Sequence, residues 1–147
     1  MSDEINIFVP IYPPSANMIW RQRKGTGQPY LAKPYRLFKR AVEKIVNGYT
    51  MPATWKFCEV EIVLHPTRRA GDVDNRIKPV LDALTRAGFW PDDACVARVA
   101  CRFGRIDKAG SVCIIVRECR EKFPVEGDRL KERRPYNIRP FYFVNSK

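Results

Sequence analysis

Two hydrophobic periodicities alternate along the chain, and their order limits the possible folds more than any other feature of the sequence. Residues 5–12 (INIFVPIY) and 56–65 (KFCEVEIVLH) alternate in the way that is typical of half-buried strands. Apolar residues recur at helical spacing from Tyr35 to Asn47 and again from Ile77 to Gly88. These four segments predict the order strand, helix, strand, helix.

Two more strand-like segments follow. Residues 94–106 and 110–119 bracket the turn sequence DKAG, which predicts a β-hairpin. The order is then βαβαββ, and a chain of 147 residues is the right size for one hydrophobic core. We therefore predict a single α+β or α/β domain, a mixed sheet with two helices packed mainly on one face.

The composition changes near the end of the domain. Residues 1–118 form the predicted domain, and residues 119–147 are a basic, Pro-containing C-terminal tail or arm that ends in the strand-like FYFVN. A flexible tail and an arm that pairs with another chain both fit this composition.

The chain carries a net charge of +11, which indicates an acidic partner, most commonly nucleic acid. No acid occurs from Ile5 through Val42, although the same segment is rich in cations, so we expect it to bind phosphates. Trp20, Tyr30 and Tyr35 are candidates for stacking on bases or for packing in the core. The predicted DNA-binding residues are Arg21, Arg23, Lys24, Lys33, Arg68, Arg69 and Arg76.

The start of the sequence lacks the pattern of a signal peptide, and no apolar run is long enough to cross a bilayer. The five cysteines contain no C-x-x-C pair and His65 is the only histidine, which argues against a zinc site. We expect a cytosolic protein.

The acidic residues concentrate in residues 71–96, and Asp72 and Asp74 there form a D-x-D. In extended backbone both carboxylates would face one side, and such hard oxygen ligands favour Mg²⁺ or Mn²⁺. On a helical wheel Asp74, Lys78 and Asp82 share one flank of the second helix. A structural interpretation is also open, in which Asp74 caps that helix and Asp72 is a turn residue, with a tightened first turn at Pro79.

Three blocks of sequence resemble, in order and spacing, the RusA family of Holliday junction resolvases of bacteria and their prophages: PPSANMIWR, RRAGDVDNRIKPVLDAL and GFWPDDACV. The resemblance implies a homodimeric endodeoxyribonuclease that binds four-way DNA junctions and makes paired nicks with Mg²⁺ or Mn²⁺. It further implies metal ligands at Asp72, Asp74 and Asp93, a catalytic lysine at Lys78, and a dispensable or minor role for Asp92.

Two other functions share part of this pattern. A non-catalytic DNA- or RNA-binding module would have the same charge, and a glycosyltransferase would share the D-x-D in a longer chain. Dimer contacts are expected either on the predicted hairpin or at FYFVN.

Overall fold

The computed structural model describes residues 3–123, which form one α+β domain. The predicted fold class is confirmed. The strands are β1 (Glu4–Val9), β2 (Trp20–Gln22), β3 (Pro29–Leu31), β4 (Phe57–His65), β5 (Val96–Phe103) and β6 (Ser111–Cys119), and the helices are α1 (Lys33–Val46) and α2 (Ile77–Arg86). Short 3-10 turns span Ala16–Met18, Asp74–Arg76 and Asp93–Cys95.

The main sheet has the order β1-β6-β4-β5. β6 lies between β1 and β4 and is antiparallel to both, while β5 is parallel to β4 at one edge. The sheet is therefore mixed, as predicted. β5 begins with Val96 beside Cys58, at the start of β4, and ends with Phe103 beside Leu64.

The predicted hairpin is wrong, because β5 and β6 lie on opposite sides of β4. The segment DKAG does form a turn, in which the Gly110 N–H donates to the Asp107 carbonyl at 2.9 Å. That turn belongs to a connection that passes the end of β4, where Gly104 N–H donates to Leu64 O at 2.7 Å. A local turn signal cannot distinguish this crossing from a hairpin, because it does not specify the partner strand.

A second, two-stranded sheet lies between β1 and α1. β2 and β3 pair as an antiparallel hairpin, with Trp20 opposite Leu31 and Arg21 opposite Tyr30. The turn closes with Arg23 N–H donating to Gln28 O at 2.9 Å, and Gly27 adopts a positive φ of 66°. Strands this short give too little alternation for a sequence pattern to detect.

Both helices cover the same face of the main sheet, as predicted. α1 buries Tyr35, Phe38, Val42 and Val46, and α2 buries a smaller apolar stripe. These side chains form one core with the inward residues of the sheet, such as Ile62 and Ile114. Because Tyr35 is fully buried, its interpretation as a base-stacking residue was wrong.

The opposite face of the sheet carries a network of ion pairs. Arg117 on β6 contacts Glu4 on β1 at 2.8 Å and Glu61 on β4 at 3.1 Å. Arg102 on β5 contacts Glu61 at 3.4 Å. Charged pairs across neighbouring strands therefore take the place of a helix layer on this face.

Residues 124–147, which include most of the predicted tail and all of FYFVN, lie outside the described residues. Within residues 3–123, no helix is both long enough and apolar enough to span a membrane. All five cysteines are free thiols.

Leu84 tests the packing of α2 against the sheet. It is fully buried, so Leu84→Ala should lower the free energy of unfolding by about 2–5 kcal/mol in urea denaturation. Leu37→Ala on α1 is the matched control, because Leu37 is 47% exposed and its truncation should cost no more than about 0.5 kcal/mol. Equal losses for the two variants would contradict the assigned burial.

Candidate active site and nucleic-acid interface

The D-x-D lies in a bent connection between β4 and α2. Gly71 has a φ of 94°, in the left-handed region that glycine adopts without strain, and Val73 is in the right-handed helical region. The expected extended backbone across Asp72 and Asp74 is therefore wrong. Both side chains are nevertheless exposed at the surface.

Asp74 does not cap α2. It begins the 3-10 turn Asp74–Arg76, and Arg76 occupies the cap position of α2 without a side-chain hydrogen bond. Pro79 is the third residue of α2 and has no N–H to be capped, which fits the tightened first turn that the sequence predicted. The Asp74 carboxylate therefore does not cap the N-terminus of α2.

Four contacts hold the bent connection in place. The Arg76 guanidinium donates to the Pro13 carbonyl at 2.8 Å and lies 5.0 Å from the centre of the Tyr12 ring. The Cys101 thiol on β5 contacts the Val73 carbonyl at 3.6 Å. Asn75 donates weakly to the Asp72 carboxylate at 3.5 Å. The backbone of the loop is thus fixed to β5 and to the chain after β1, while the aspartate side chains face solvent.

Lys78 lies on an exposed flank of α2, as the helical wheel predicted. Its ammonium nitrogen is 3.6 Å from a carboxylate oxygen of Asp82, one helical turn later. An exposed pair of this kind contributes little to stability, but it biases where the lysine side chain points. Asp82, which the helical wheel placed on the same flank, is therefore the ion-pair partner of Lys78.

Asp92 and Asp93 lie at the other end of α2, where Phe89 and Trp90 anchor the chain in the core. The Ala94 N–H donates to the Asp92 carboxylate at 2.9 Å and lowers the pKa of Asp92. The pKa of Asp93 is raised, first by its hydrogen bond to Asp92 and then by partial desolvation and by the charges of Asp92 and Asp82. The positive charge of Lys78 opposes this shift.

Lys78 and Asp82 thus form an ion pair, and their charges both act on the pKa of Asp93. The structure does not bring Asp72, Asp74 and Asp93 together: within residues 3–123, no three His, Cys, Asp or Glu side chains form a group that would hold a metal ion. The donor chemistry still fits Mg²⁺ or Mn²⁺, since exposed carboxylates are the ligands these ions prefer. Repulsion among the acids near Asp93 is also what a bound cation would relieve.

A basic groove of about 820 Å³ lies on the β2–β3 hairpin. Three of the predicted cations, Arg21, Arg23 and Lys24, line it together with Arg36 of α1. Tyr30 lies in the same groove, and the Arg86 guanidinium of α2 is 5.9 Å from the centre of the exposed Trp20 ring. The β2–β3 hairpin that carries the groove therefore contacts α2 through Trp20. The other predicted cations Lys33, Arg68 and Arg69 are exposed.

The arrangement is that of an acidic site beside a basic surface, and comparison with known proteins assigns its class. The family model described as "Endodeoxyribonuclease RusA" matches residues 10–117, well over half of the chain. The chain belongs to this family of nucleases, and the resemblance found in the sequence is confirmed. A glycosyltransferase and a non-catalytic binding module are therefore set aside.

Several relatives carry the name crossover junction endodeoxyribonuclease RusA. The proteins of Escherichia coli K12 and Shigella sonnei are 40% identical over 92 residues, which is 58% of this chain and 71% of the relative. The protein of enterobacteria phage 82 is 39% identical over the same length.

Arg76→Ala tests whether the contacts of Arg76 stabilise the loop that carries the D-x-D. Arg76→Ala removes the hydrogen bond to Pro13 and the contact with Tyr12, so it should destabilise the fold by about 1–3 kcal/mol in thermal unfolding. Arg68→Ala is the control, because Arg68 is exposed and should be replaced without measurable loss of stability. Unchanged stability in both variants would mean that Arg76 does not hold the loop.

Proposed function

We propose that this protein is a Mg²⁺-dependent endodeoxyribonuclease that resolves Holliday junctions by paired, symmetric nicks during DNA recombination and repair. Mn²⁺ substitutes for Mg²⁺, and the protein works on the nucleoid in the cytoplasm of a bacterial host. The observation that carries the proposal is the Lys78–Asp82 ion pair on the exposed flank of α2, between the exposed Asp74 before this helix and the exposed Asp93 after it, in a chain of the RusA family.

Asp72, Asp74 and Asp93 are the proposed ligands of one or two divalent cations. All three side chains are exposed and contribute only oxygen donors. Bound Mg²⁺ supplies the positive charge and Lewis acidity that phosphodiester hydrolysis needs. Asp92 has a different role, because its carboxylate accepts the Ala94 N–H and shapes the turn that presents Asp93.

Lys78 is the proposed catalytic lysine. It lies off the buried stripe of α2, and Asp82 keeps its ammonium group on the same flank as the acids. A cation at this position stabilises the negative charge that grows on the scissile phosphate during attack.

DNA is bound by phosphate contacts on the basic surface. The proposed contacts are the cations of the β2–β3 groove, Lys33 at the start of α1, and Arg68 and Arg69 in the loop before the D-x-D. Arg76 is also a proposed DNA contact. In addition, its hydrogen bond to the Pro13 carbonyl fixes the loop that presents the aspartates.

The active form is proposed to be a two-fold dimer, because a junction is resolved only when two strands of like polarity are cut. One site per subunit in a symmetric pair supplies the two cuts. The expected mass in solution is twice the 17.1 kDa of one chain.

Asp74→Asn tests the metal site. Wild-type protein should cleave a synthetic four-way junction only when Mg²⁺ is present and should leave a linear duplex of the same sequence intact. Asp74→Asn should lower the rate of cleavage by about a hundred-fold or more, because it removes a charge from the metal site, and should leave junction binding intact or tighter.

Asp92→Asn is the matched control. Its amide oxygen still accepts the Ala94 N–H, so the turn and most of the activity should be kept. Wild-type rates in Asp74→Asn, or equal losses in the two variants, would refute the assigned ligands.

The basic groove predicts a steep dependence of binding on salt. Replacing Arg21, Arg23 and Lys24 together with Gln should weaken junction binding and lower the slope of log K against log salt by about 0.9 per lost phosphate contact. Lys44→Gln, in the last turn of α1, is the control and should leave the slope unchanged. An unaltered slope in the triple variant would place the phosphate contacts elsewhere.

A further inference from the structure

A second cavity, of about 730 Å³, lies between the loop before the D-x-D and the segment that follows β5. Gly71 and Arg69 line one side, and Phe103, Arg105 and Ile106 line the other. We propose that this cavity receives an unpaired nucleobase from the branch point of the DNA, and that it thereby distinguishes a junction from a linear duplex. This inference rests on the proposed junction substrate.

The wall of the cavity is held rigidly against the end of β4. Gly104 N–H donates to Leu64 O at 2.7 Å, and Asp107 N–H donates to Pro66 O at 3.0 Å. The His65 Nδ1–H donates to the Arg105 carbonyl at 2.8 Å. A side chain at Gly104 would meet the His65 ring at 2.5 Å, so the wall is in tight contact with the strand. The cavity is therefore formed before DNA binds.

The lining matches a nucleotide in shape and in charge. Phe103 and Ile106 are 44% and 48% exposed, which leaves an aromatic ring and an aliphatic side chain available to a base. Within residues 3–123, neither Arg69 nor Arg105 forms an ion pair, so both guanidinium groups are available for the phosphates that flank the base. The volume is within the range of pockets that hold small ligands, about 300–1,000 Å³.

The cavity lies next to the proposed metal ligands of the D-x-D. Gly71 lines the cavity and the next residue is Asp72, so a nucleotide whose base enters the cavity has its backbone beside the D-x-D. A base in a continuous duplex is stacked and paired, and extracting it is costly. At a branch point stacking is interrupted, so a base can enter at lower cost. Occupancy of the cavity would therefore favour branched DNA near the carboxylates.

A second copy of this chain is a poorer occupant. A two-fold contact centred on the cavity would place Arg69 and Arg105 of one subunit against the same residues of its partner, and none of the described residues that line the cavity is an acid that could compensate them. Charge complementarity therefore favours DNA.

Phe103→Ala tests the inference by equilibrium binding in EDTA, where no cleavage occurs. The variant should lose about ten-fold or more of its affinity for a four-way junction and keep its affinity for a linear duplex, because only at the branch point can a base leave the stack at low cost. Phe103→Tyr retains the ring and should bind like wild type. Phe8→Ala is the matched control, since Phe8 is 55% exposed on a different strand and should affect neither substrate.

A junction with an abasic site next to the branch point, tried at each flanking nucleotide in turn, provides the second measurement. At one of these positions the loss of the base should reduce wild-type affinity to that of Phe103→Ala and cause no further loss in the variant. Equal weakening of junction and duplex, no sensitivity to any abasic position, or a fall to monomer mass in Phe103→Ala would overturn the inference. None of these outcomes affects the Mg²⁺-dependent junction cleavage by wild-type protein, which tests the proposed function separately.

Discussion

The parallel pairing of β5 with β4 is the constraint on which the site depends. Because β5 starts beside the start of β4, the chain that leaves the end of β4 must return along the sheet before β5 can begin, and α2 makes this return. The D-x-D then lies at the start of α2 and Asp93 lies after its end. Lys78 and Asp82 form an ion pair on the exposed flank of α2, between these two acidic segments.

The same arrangement accounts for the unequal distribution of charge. Five aspartates lie between residues 72 and 93, around a helix whose buried stripe faces the core and whose exposed flank carries Lys78. Cations dominate the neighbouring β2–β3 hairpin and the loop before Gly71. Acids alone would repel DNA, and cations alone would bind it without cleaving it. A polyanion can approach this acidic group because its phosphates are held by the cations beside it.

Local sequence patterns predicted the longer helices and strands. They did not predict which strands pair with each other, because pairing depends on contacts between residues far apart in the chain. The periods of β4, α1 and α2 were clear because one face of each element is buried. The partner of β5 was not predictable, since strand alternation says nothing about neighbours and DKAG is a turn in either topology. Tyr35 shows the same limit, because an aromatic residue in a basic segment has the same local sequence whether it faces DNA or the core.

The candidate site was predicted in composition but not in geometry. Spacing indicated the D-x-D and the position of Lys78 on the helix flank, and the family resemblance implied their roles and that of Asp93. The contacts of Arg76 depend on Tyr12 and Pro13, more than sixty residues earlier in the chain. The cavity between Gly71 and Phe103 likewise has no sequence signal, because its two walls meet only through β4. Tertiary contacts of this kind lie beyond any local pattern.

The most direct measurement is cleavage of a supercoiled plasmid that extrudes a cruciform, with Mg²⁺ present and with a plasmid lacking the inverted repeat as the control. Paired sites in a two-fold dimer should convert the cruciform plasmid directly to linear DNA and leave the control supercoiled. Accumulation of singly nicked circles without linear product, or equal cutting of both plasmids, would contradict the account.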